Sequence, residues 1–150
     1  MLDFNRIQDT ANQEMAEVRV KVKLINAIDE ELVNRGLLNP NNLRVFETVA
    51  LVDTGAVRTV IPMEVVQQLG LRIRGKQTAK YADARQEEVG LTGPVFIEIE
   101  GRETTEAVLV ARDEVLIGQT VLESLDLLVD CKNHRLIPNP KHPEHPVFRI

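Results

Sequence analysis

The sequence has little cysteine and no long apolar run, and each shortage excludes a class of protein. A single cysteine cannot form an intrachain disulfide, which excludes a disulfide-stabilised secreted fold and fits a reducing compartment. No apolar run approaches the roughly 18 residues that are needed to span a bilayer. The N-terminus lacks the basic and apolar regions of a signal peptide. We therefore expect a cytoplasmic protein with no membrane partner.

Positive charge and aromatic side chains are also scarce. The 18 Lys and Arg residues are outnumbered by 23 Asp and Glu residues, which gives a net charge of −5. Four Phe, one Tyr and no Trp leave few side chains on which bases could stack. We therefore expect no nucleic-acid partner, and an unrelated small β-barrel that acts as a nucleic-acid adaptor is a weakly supported alternative.

The length of 150 residues suits one domain, so we do not expect an enzyme that needs two domains in one chain. Residues 1–17 are polar and predict an N-terminal arm. The folded domain is predicted over residues 18–137, with 28–43 as an insertion between the first two strands. Residues 138–150 hold four of the seven prolines, which predicts an extended C-terminal tail.

Most of the folded part has the pattern of short β-strands. Residues 18–24 alternate apolar and cationic side chains, which is typical of a strand with one solvated face. The run at 49–52 is wholly apolar and predicts a strand that enters the core. Further strands are predicted over 95–99, 107–110, 115–117, 127–129 and 135–137. Many short strands favour a mainly β fold, either a barrel or a sandwich.

Helical signals are few, and two of them form a faint internal repeat. Short helices are predicted over 62–69 and 119–125, and residues 28–37 are compatible with a third. Leu51-Val52-Asp53-Thr54-Gly55 precedes the first helix, and Leu116-Ile117-Gly118 precedes the second. The repeat indicates two similar halves around one core.

Asp53-Thr54-Gly55-Ala56 is the strongest chemical signal in the sequence. An ionisable residue follows the most apolar strand, and Gly55 allows a tight turn directly after it. Two interpretations are open at this point. Asp53 is either a functional carboxylate held at the end of a strand or the first residue of an Asx turn that ends the strand.

The neighbouring motifs add a family resemblance. Asp53-Thr54-Gly55, followed by Thr59-Val60-Ile61-Pro62, a helix that ends at Leu69-Gly70-Leu71, and a later Leu116-Ile117-Gly118, resembles the retropepsin-like aspartic proteases. Stand-alone bacterial members are the most similar, and the resemblance covers roughly residues 44–140. It implies a closed β-barrel-like fold with one or two short helices. It also implies an aspartic endopeptidase without a cofactor or a metal.

The resemblance further implies a homodimer, because the chain has one Asp-Thr-Gly. Asp53 of two chains would share one proton and activate a water that attacks the peptide bond of an extended substrate. Thr54 would hold the two loops together, Gly55 would permit their close approach, and Gly118 would be the glycine of a second loop. The side-chain pockets for substrate would be largely apolar.

Two further features follow from the same resemblance. Ala56 stands where pepsin-like lobes often carry a hydroxyl that donates to the carboxylate, so we expect activity to be best at mild acidity. The hairpin around Tyr81, Asp83, Ala84 and Arg85 is the candidate flap over the substrate. An ordinary exposed hairpin is the alternative interpretation of these four residues.

The chain also departs from the family. Gln119 replaces an arginine that supports the dimer in many retropepsins, so another contact must hold the dimer or the dimer is weak. The flap lacks a glycine-rich tip, although Gly90 and Gly93 are candidate hinges. The tail prolines resist interleaved terminal strands. A non-catalytic dimeric module that binds peptides or assembles a partner is therefore the alternative function.

Two remaining signals favour ordinary structural roles. His142 and His145 lack a cysteine or carboxylate cluster at ligand spacing, so we expect no metal site. Cys131 lies in a predicted turn without a nearby base, which favours a plain free thiol.

Overall fold

The computed structural model describes residues 17–150, so the predicted arm lies outside the described residues except for Glu17. In chain order the elements are β1 Val18–Asn26, α1 Ala27–Asn34, a 3₁₀ helix Pro40–Asn42, β2 Val45–Val52, β3 Val60–Ile61, α2 Met63–Leu69, β4 Ile73–Lys80, β5 Gln86–Ile99, β6 Arg102–Val110, β7 Leu116–Ile117, α3 Gln119–Leu125, β8 Leu127–Asp130 and β9 Arg135–Pro138. None of the helices among these elements is long and apolar enough to cross a membrane.

Six strands close into a barrel in the order β1-β2-β7-β3-β6-β5, because β5 also pairs with β1. β4 pairs with β5 and extends the sheet beyond the barrel, and β8 forms a separate hairpin with β9. This closure confirms the predicted mainly β, barrel-like fold.

The barrel core follows the strand periodicity. Apolar residues of β1 point inward and are buried, whereas the cations between them face outward or are half-buried. The apolar run at 49–52 lies in a strand that contributes to the core, as predicted, but it is not uniformly buried, because β2 also alternates. Ala50 is 0% exposed but Val49 is 52% exposed, since one face of β2 lies on the barrel surface.

α2 and α3 lie where the sequence predicts them, whereas α1 ends at Asn34, three residues before the predicted end. Pro62 precedes α2, and Gly70 ends it in the left-handed conformation with φ of 60°. The third helix, α1, lies between β1 and β2. The side chain of Asn26 caps it by accepting hydrogen bonds from the backbone N–H groups of Ile28 and Asp29.

The internal repeat is longer than the sequence motifs indicate. β2 pairs in parallel with β7, and β3 pairs in parallel with β6. Each half therefore consists of a long strand, a loop, a two-residue strand and a helix. The first half is β2, 53–59, β3 and α2, and the second is β6, 111–115, β7 and α3. The structural counterpart of Leu116-Ile117-Gly118 is thus Val60-Ile61-Pro62, not the Asp53 segment.

The C-terminal tail is docked rather than uniformly extended. It forms turns and bends up to residue 145 and is irregular over 146–150, without a helix. Asp126 accepts hydrogen bonds from Asn139 and from the backbone of Val147, and its Oδ2 lies 2.6 Å from His142 Nδ1. Arg102 donates to the carbonyl of His142 at 2.7 Å. Hydrogen bonds from Asn139, followed by those from His142, lower the pKa of Asp126.

Candidate active site

Asp53 is positioned by the parallel pairing of β2 with β7. Leu51 and Val52 pair with Leu116 and Ile117, and the backbone N–H of Asp53 continues this ladder by donating to the carbonyl of Ile117 at 2.9 Å. The carboxylate therefore starts from backbone that is held by a neighbouring strand, as the sequence predicts.

The carboxylate of Asp53 is half-buried and turns back on its own loop. The side-chain Oδ1 of Asp53 accepts a hydrogen bond from the backbone N–H of Gly55 at 3.0 Å. The backbone carbonyl of Asp53 accepts one from the backbone N–H of Ala56 at 3.1 Å. This is the Asx turn of the alternative interpretation. Within residues 17–150, Oδ2 accepts no hydrogen bond and is available to a water or a substrate. Thr54 and Gly55 are exposed.

The start of α3 holds the far side of this loop. The first backbone N–H groups of a helix lack partners within the helix and must find acceptors elsewhere. Here Gln119 N–H donates to the carbonyl of Ala56 at 2.8 Å, and Thr120 N–H donates to that of Val57 at 3.0 Å. The Asp53 loop thus caps α3, and α3 in turn fixes the loop.

Gly118 lies in the tightest backbone contact of the site. A Cβ atom at this position would lie 2.4 Å from the carbonyl carbon of Arg58, so only glycine fits there. Its N–H donates to Oγ1 of Thr59 at 3.0 Å, and Thr59 is completely buried. Gly118 could be singled out in the sequence, but the role of Thr59 as its hydrogen-bond acceptor could not, because the two positions meet only in the folded barrel.

A cavity of about 460 Å³ opens above Asp53. The Asp53 loop forms one side, the end of β4 with Tyr81 forms another, and the loop after β6 completes it. Tyr81 therefore shares a cavity with Asp53, whereas Asp83, Ala84 and Arg85 lie at the exposed hairpin tip outside the lining. Thr54 and Gly118 also lie outside it.

The candidate flap is a well-formed hairpin. β4 pairs with β5 from Ile73 with Thr92 to Lys80 with Gln86, and the turn is closed by a 2.8 Å hydrogen bond from Tyr81 N–H to the carbonyl of Arg85. Ala84 adopts φ of 67° at the tip, where a glycine would be unstrained. The pairing of β5 with β6 shifts register between Leu91 and Pro94, close to Gly90 and Gly93.

Tyr81 joins the hairpin tip to the loop after β6. Its hydroxyl donates to Oε2 of Glu87 at 2.6 Å, which raises the pKa of Tyr81. The guanidinium groups of Arg85 and Arg112 lie 4.5 Å and 5.2 Å from its ring centroid. Glu87 thus engages the hydroxyl of Tyr81, and the two guanidinium groups lie over its ring.

The weaker signals do not form a second site. Gln119 donates to Glu123 of its own helix at 3.4 Å, and Cys131 is an exposed free thiol in the turn between β8 and β9. In the described part of the chain no cluster of three His, Cys, Asp or Glu side chains could hold a metal ion.

Comparison with known proteins bears on this site. A sequence model of the family described as "gag-polyprotein putative aspartyl protease" matches residues 42–124. The matched segment runs from β2 to the end of α3 and includes Asp53, the hairpin and Gly118. No curated protein matches the sequence.

Proposed function

The chain belongs to the family of gag-polyprotein aspartyl proteases, and we propose that it is an endopeptidase in which Asp53 of two identical chains forms the catalytic pair. The observation that carries this proposal is the position of Asp53. Asp53 lines a cavity that is bordered by the end of β4 with Tyr81, and one of its carboxylate oxygens accepts no hydrogen bond from residues 17–150.

The proposed chemistry needs two carboxylates in contact. Like charges so close cannot both be ionised, so the pair holds one proton. The ionised member accepts a proton from water while the water oxygen attacks the peptide carbonyl. The protonated member donates to the developing oxyanion, and the pair then delivers a proton to the departing amine. An extended peptide would bind between the hairpin and the Asp53 loop.

The need for a second chain is supported by the other half of the barrel. The loop that corresponds to the Asp53 loop is 111–115, and it contributes Ala111 and Arg112 to the cavity rather than a carboxylate. Asp53 is the one carboxylate in the cavity lining among residues 17–150. The exposed Thr54 and Gly55 leave this face of the loop open to a second copy.

The test compares cleavage of an unstructured protein by the wild type and by Asp53→Asn, from about pH 4 to 7, with and without a statine-type transition-state mimic. We expect Asp53→Asn to lose about 10³-fold or more in activity, and the mimic to inhibit the wild type. Asp113→Asn is the matched control, because Asp113 lies exposed in the counterpart loop and outside the cavity. Activity that is equal in all variants and insensitive to the mimic would refute the proposal.

The pH profile tests the role of Ala56. Without a hydroxyl at this position, the proposed pair should work best at mild acidity, and the Ala56→Ser variant should shift the optimum to lower pH. A wild-type optimum near about pH 2 would contradict this expectation.

A second candidate function is a dimeric peptide-binding module without proteolysis. It is favoured by the hydrogen bond from Gly55 to Asp53, which makes Asp53 a structural turn residue, and by Gln119 in place of an arginine. In that case Asp53→Asn would bind and release peptides as the wild type does, and neither would cleave them.

A further inference from the structure

Cations concentrate around the cavity that contains Asp53. Arg58 lies in the Asp53 loop, Lys80 ends β4, and Arg112 lies in the loop after β6. All three line the cavity. The remaining walls are mainly apolar and are formed by Val57, Val60, Val89, Leu109 and Leu116 among others. Such a cluster of positive charge is unexpected in a chain of net charge −5.

These three cations form no ion pair with another side chain of residues 17–150. The ion pairs within residues 17–150 involve other cations, namely Arg19, Arg35, Arg44, Lys76, Arg135 and His142. The charge of Arg58 acts on Glu106 without forming an ion pair with it. The Glu106 carboxylate already accepts a hydrogen bond from the hydroxyl of Thr120 at 2.9 Å. Arg58, Lys80 and Arg112 therefore keep donors for a ligand.

Arg112 is the best positioned of the three. Its backbone lies in the left-handed region with φ of 61°, and its guanidinium lies 5.2 Å from the ring centroid of Tyr81. Stacking on an aromatic ring holds the guanidinium plane while its N–H groups stay free to donate. Arg112 thus sits where the hairpin tip meets the Asp53 side of the cavity, on the path proposed for an extended peptide.

We propose, resting on the endopeptidase function above, that the substrates are extended peptides with an acidic side chain close to the scissile bond. Arg112 and Lys80 bind this carboxylate through charge-assisted hydrogen bonds. The apolar walls accept a neighbouring aliphatic side chain. Because the cleft is open to solvent, added salt weakens the acidic preference.

The experiment uses paired fluorogenic peptides that differ only by Glu or Gln, with the acidic position moved along the peptide. For the wild type we expect kcat/KM to be about tenfold higher for the Glu peptide at the preferred position. Arg112→Gln and Lys80→Gln should each reduce this ratio towards one, and Arg112→Glu should invert it in favour of a Lys peptide. Lys76→Gln is the control, because Lys76 lies on the same strand outside the cavity and pairs with Glu88.

The ratio separates specificity from damage to the hairpin. A variant that only loosens Tyr81 lowers kcat/KM for both peptides and leaves the ratio unchanged, and that result would overturn the proposal. Equal cleavage of the two peptides by the wild type at every position would also overturn it.

Binding distinguishes failure of this inference from failure of the proposed function. Fluorescence anisotropy with Asp53→Asn should show tighter binding of the Glu peptide by about tenfold. If this preference is seen while the wild type cleaves neither peptide, the acidic specificity holds and the endopeptidase function fails. If cleavage occurs and neither cleavage nor binding prefers Glu, the endopeptidase function holds and the acidic specificity fails.

Discussion

The two halves of the barrel share a strand, loop, strand and helix, but they are held in different ways. In the second half, β7 and α3 contact the Asp53 loop through backbone groups, with Gly118 against Arg58 and the first N–H groups of α3 on the carbonyls of Ala56 and Val57. In the first half, side chains hold α2 in place. Asn26 donates to the carbonyl of Leu69 at 2.8 Å, and Arg44 lies across Gly70.

This difference assigns separate tasks to the halves. Backbone contacts leave few alternative arrangements, which suits the half that fixes the position of Asp53. Side-chain contacts tolerate change more readily and suit a half that mainly stabilises the barrel. Substitutions that disturb the backbone contacts of β7 and α3 should therefore move the Asp53 loop, whereas substitutions of the side chains that hold α2 should change stability alone.

The largest effect is expected at Gly118. Gly118→Ala places a Cβ 2.4 Å from the carbonyl carbon of Arg58, so the backbone must move. We expect a loss of ~3 kcal/mol or more in the free energy of unfolding, measured by urea denaturation. Pro62→Ala, at the corresponding position before α2, should cost less than about 1 kcal/mol. Equal losses in the two variants would contradict the proposed asymmetry.

The next largest effect is expected from Asp29, which holds Arg44, the residue that lies against Gly70 at the end of α2. Its side chain is 6% exposed and accepts from Arg44 Nε at 2.7 Å and from Nη2 at 2.9 Å. Asp29→Asn should cost about 2 kcal/mol, less than a fully buried pair because the Arg44 side chain is 48% exposed. Glu31→Gln, which removes an exposed pair with Arg35, is the control and should cost less than about 0.5 kcal/mol.

The pH dependence of the Asp29 variant has a defined sign. The hydrogen bonds from Arg44 lower the pKa of Asp29 below its ordinary value of 3.8. The contribution of this ion pair is therefore complete above pH 3.8 and is lost as the pH falls through the lower folded-state value. The stability gap between wild type and Asp29→Asn should close in strong acid, and a gap that widens there would be inconsistent with this pair.

A smaller effect is expected at Thr59. Thr59→Val removes the acceptor of the buried Gly118 N–H and should cost about 1 to 2 kcal/mol in unfolding experiments. Thr59→Ser keeps the hydroxyl and measures separately the cost of losing the methyl group, which Thr59→Val retains. A Thr59→Val variant as stable as the wild type would show that this hydrogen bond does not stabilise the fold.

The smallest effect is expected at Glu106, whose contact with Thr120 is a side-chain link between β6 and α3. Burial raises the pKa of Glu106 above 4.5, so the fold favours its protonated form. This preference stabilises the fold below pH 4.5 and is lost as the pH rises through the folded-state value. Glu106→Gln should therefore raise the free energy of unfolding, measured by urea denaturation, by no more than about 0.5 kcal/mol at neutral pH and should not raise it in acid.

The sequence pattern predicted those features that depend on residues close together in the chain, such as strand alternation and helix ends. Alternation predicted β1, and Pro62, Gly70 and Gly118 predicted the ends of α2 and the start of α3. The Asp53 motif is contiguous, so it could be recognised in the sequence. The exposure of Val49 could not be predicted, because an apolar run does not reveal which face of a strand is covered.

The rest of the site depends on contacts between distant segments. Thr59 meets Gly118, Arg44 meets Asp29, and Arg112 meets Tyr81 only after the barrel closes. Gly118 and Tyr81 could be singled out in the sequence, but nothing in the local sequence of Asp29, Arg44 or Arg112 indicates their partners. The cationic lining of the cavity was missed for this reason, since it combines residues from three separate segments.

The most direct test of the central claim is a subunit-mixing experiment with wild type and Asp53→Asn. After random exchange of equal amounts, a catalytic pair built from two chains predicts that activity per wild-type chain falls to about one half, because half of the wild-type chains then have an inactive partner. Exchange with Asp113→Asn should leave it unchanged. Activity per wild-type chain that stays constant on mixing with Asp53→Asn would contradict the shared active site.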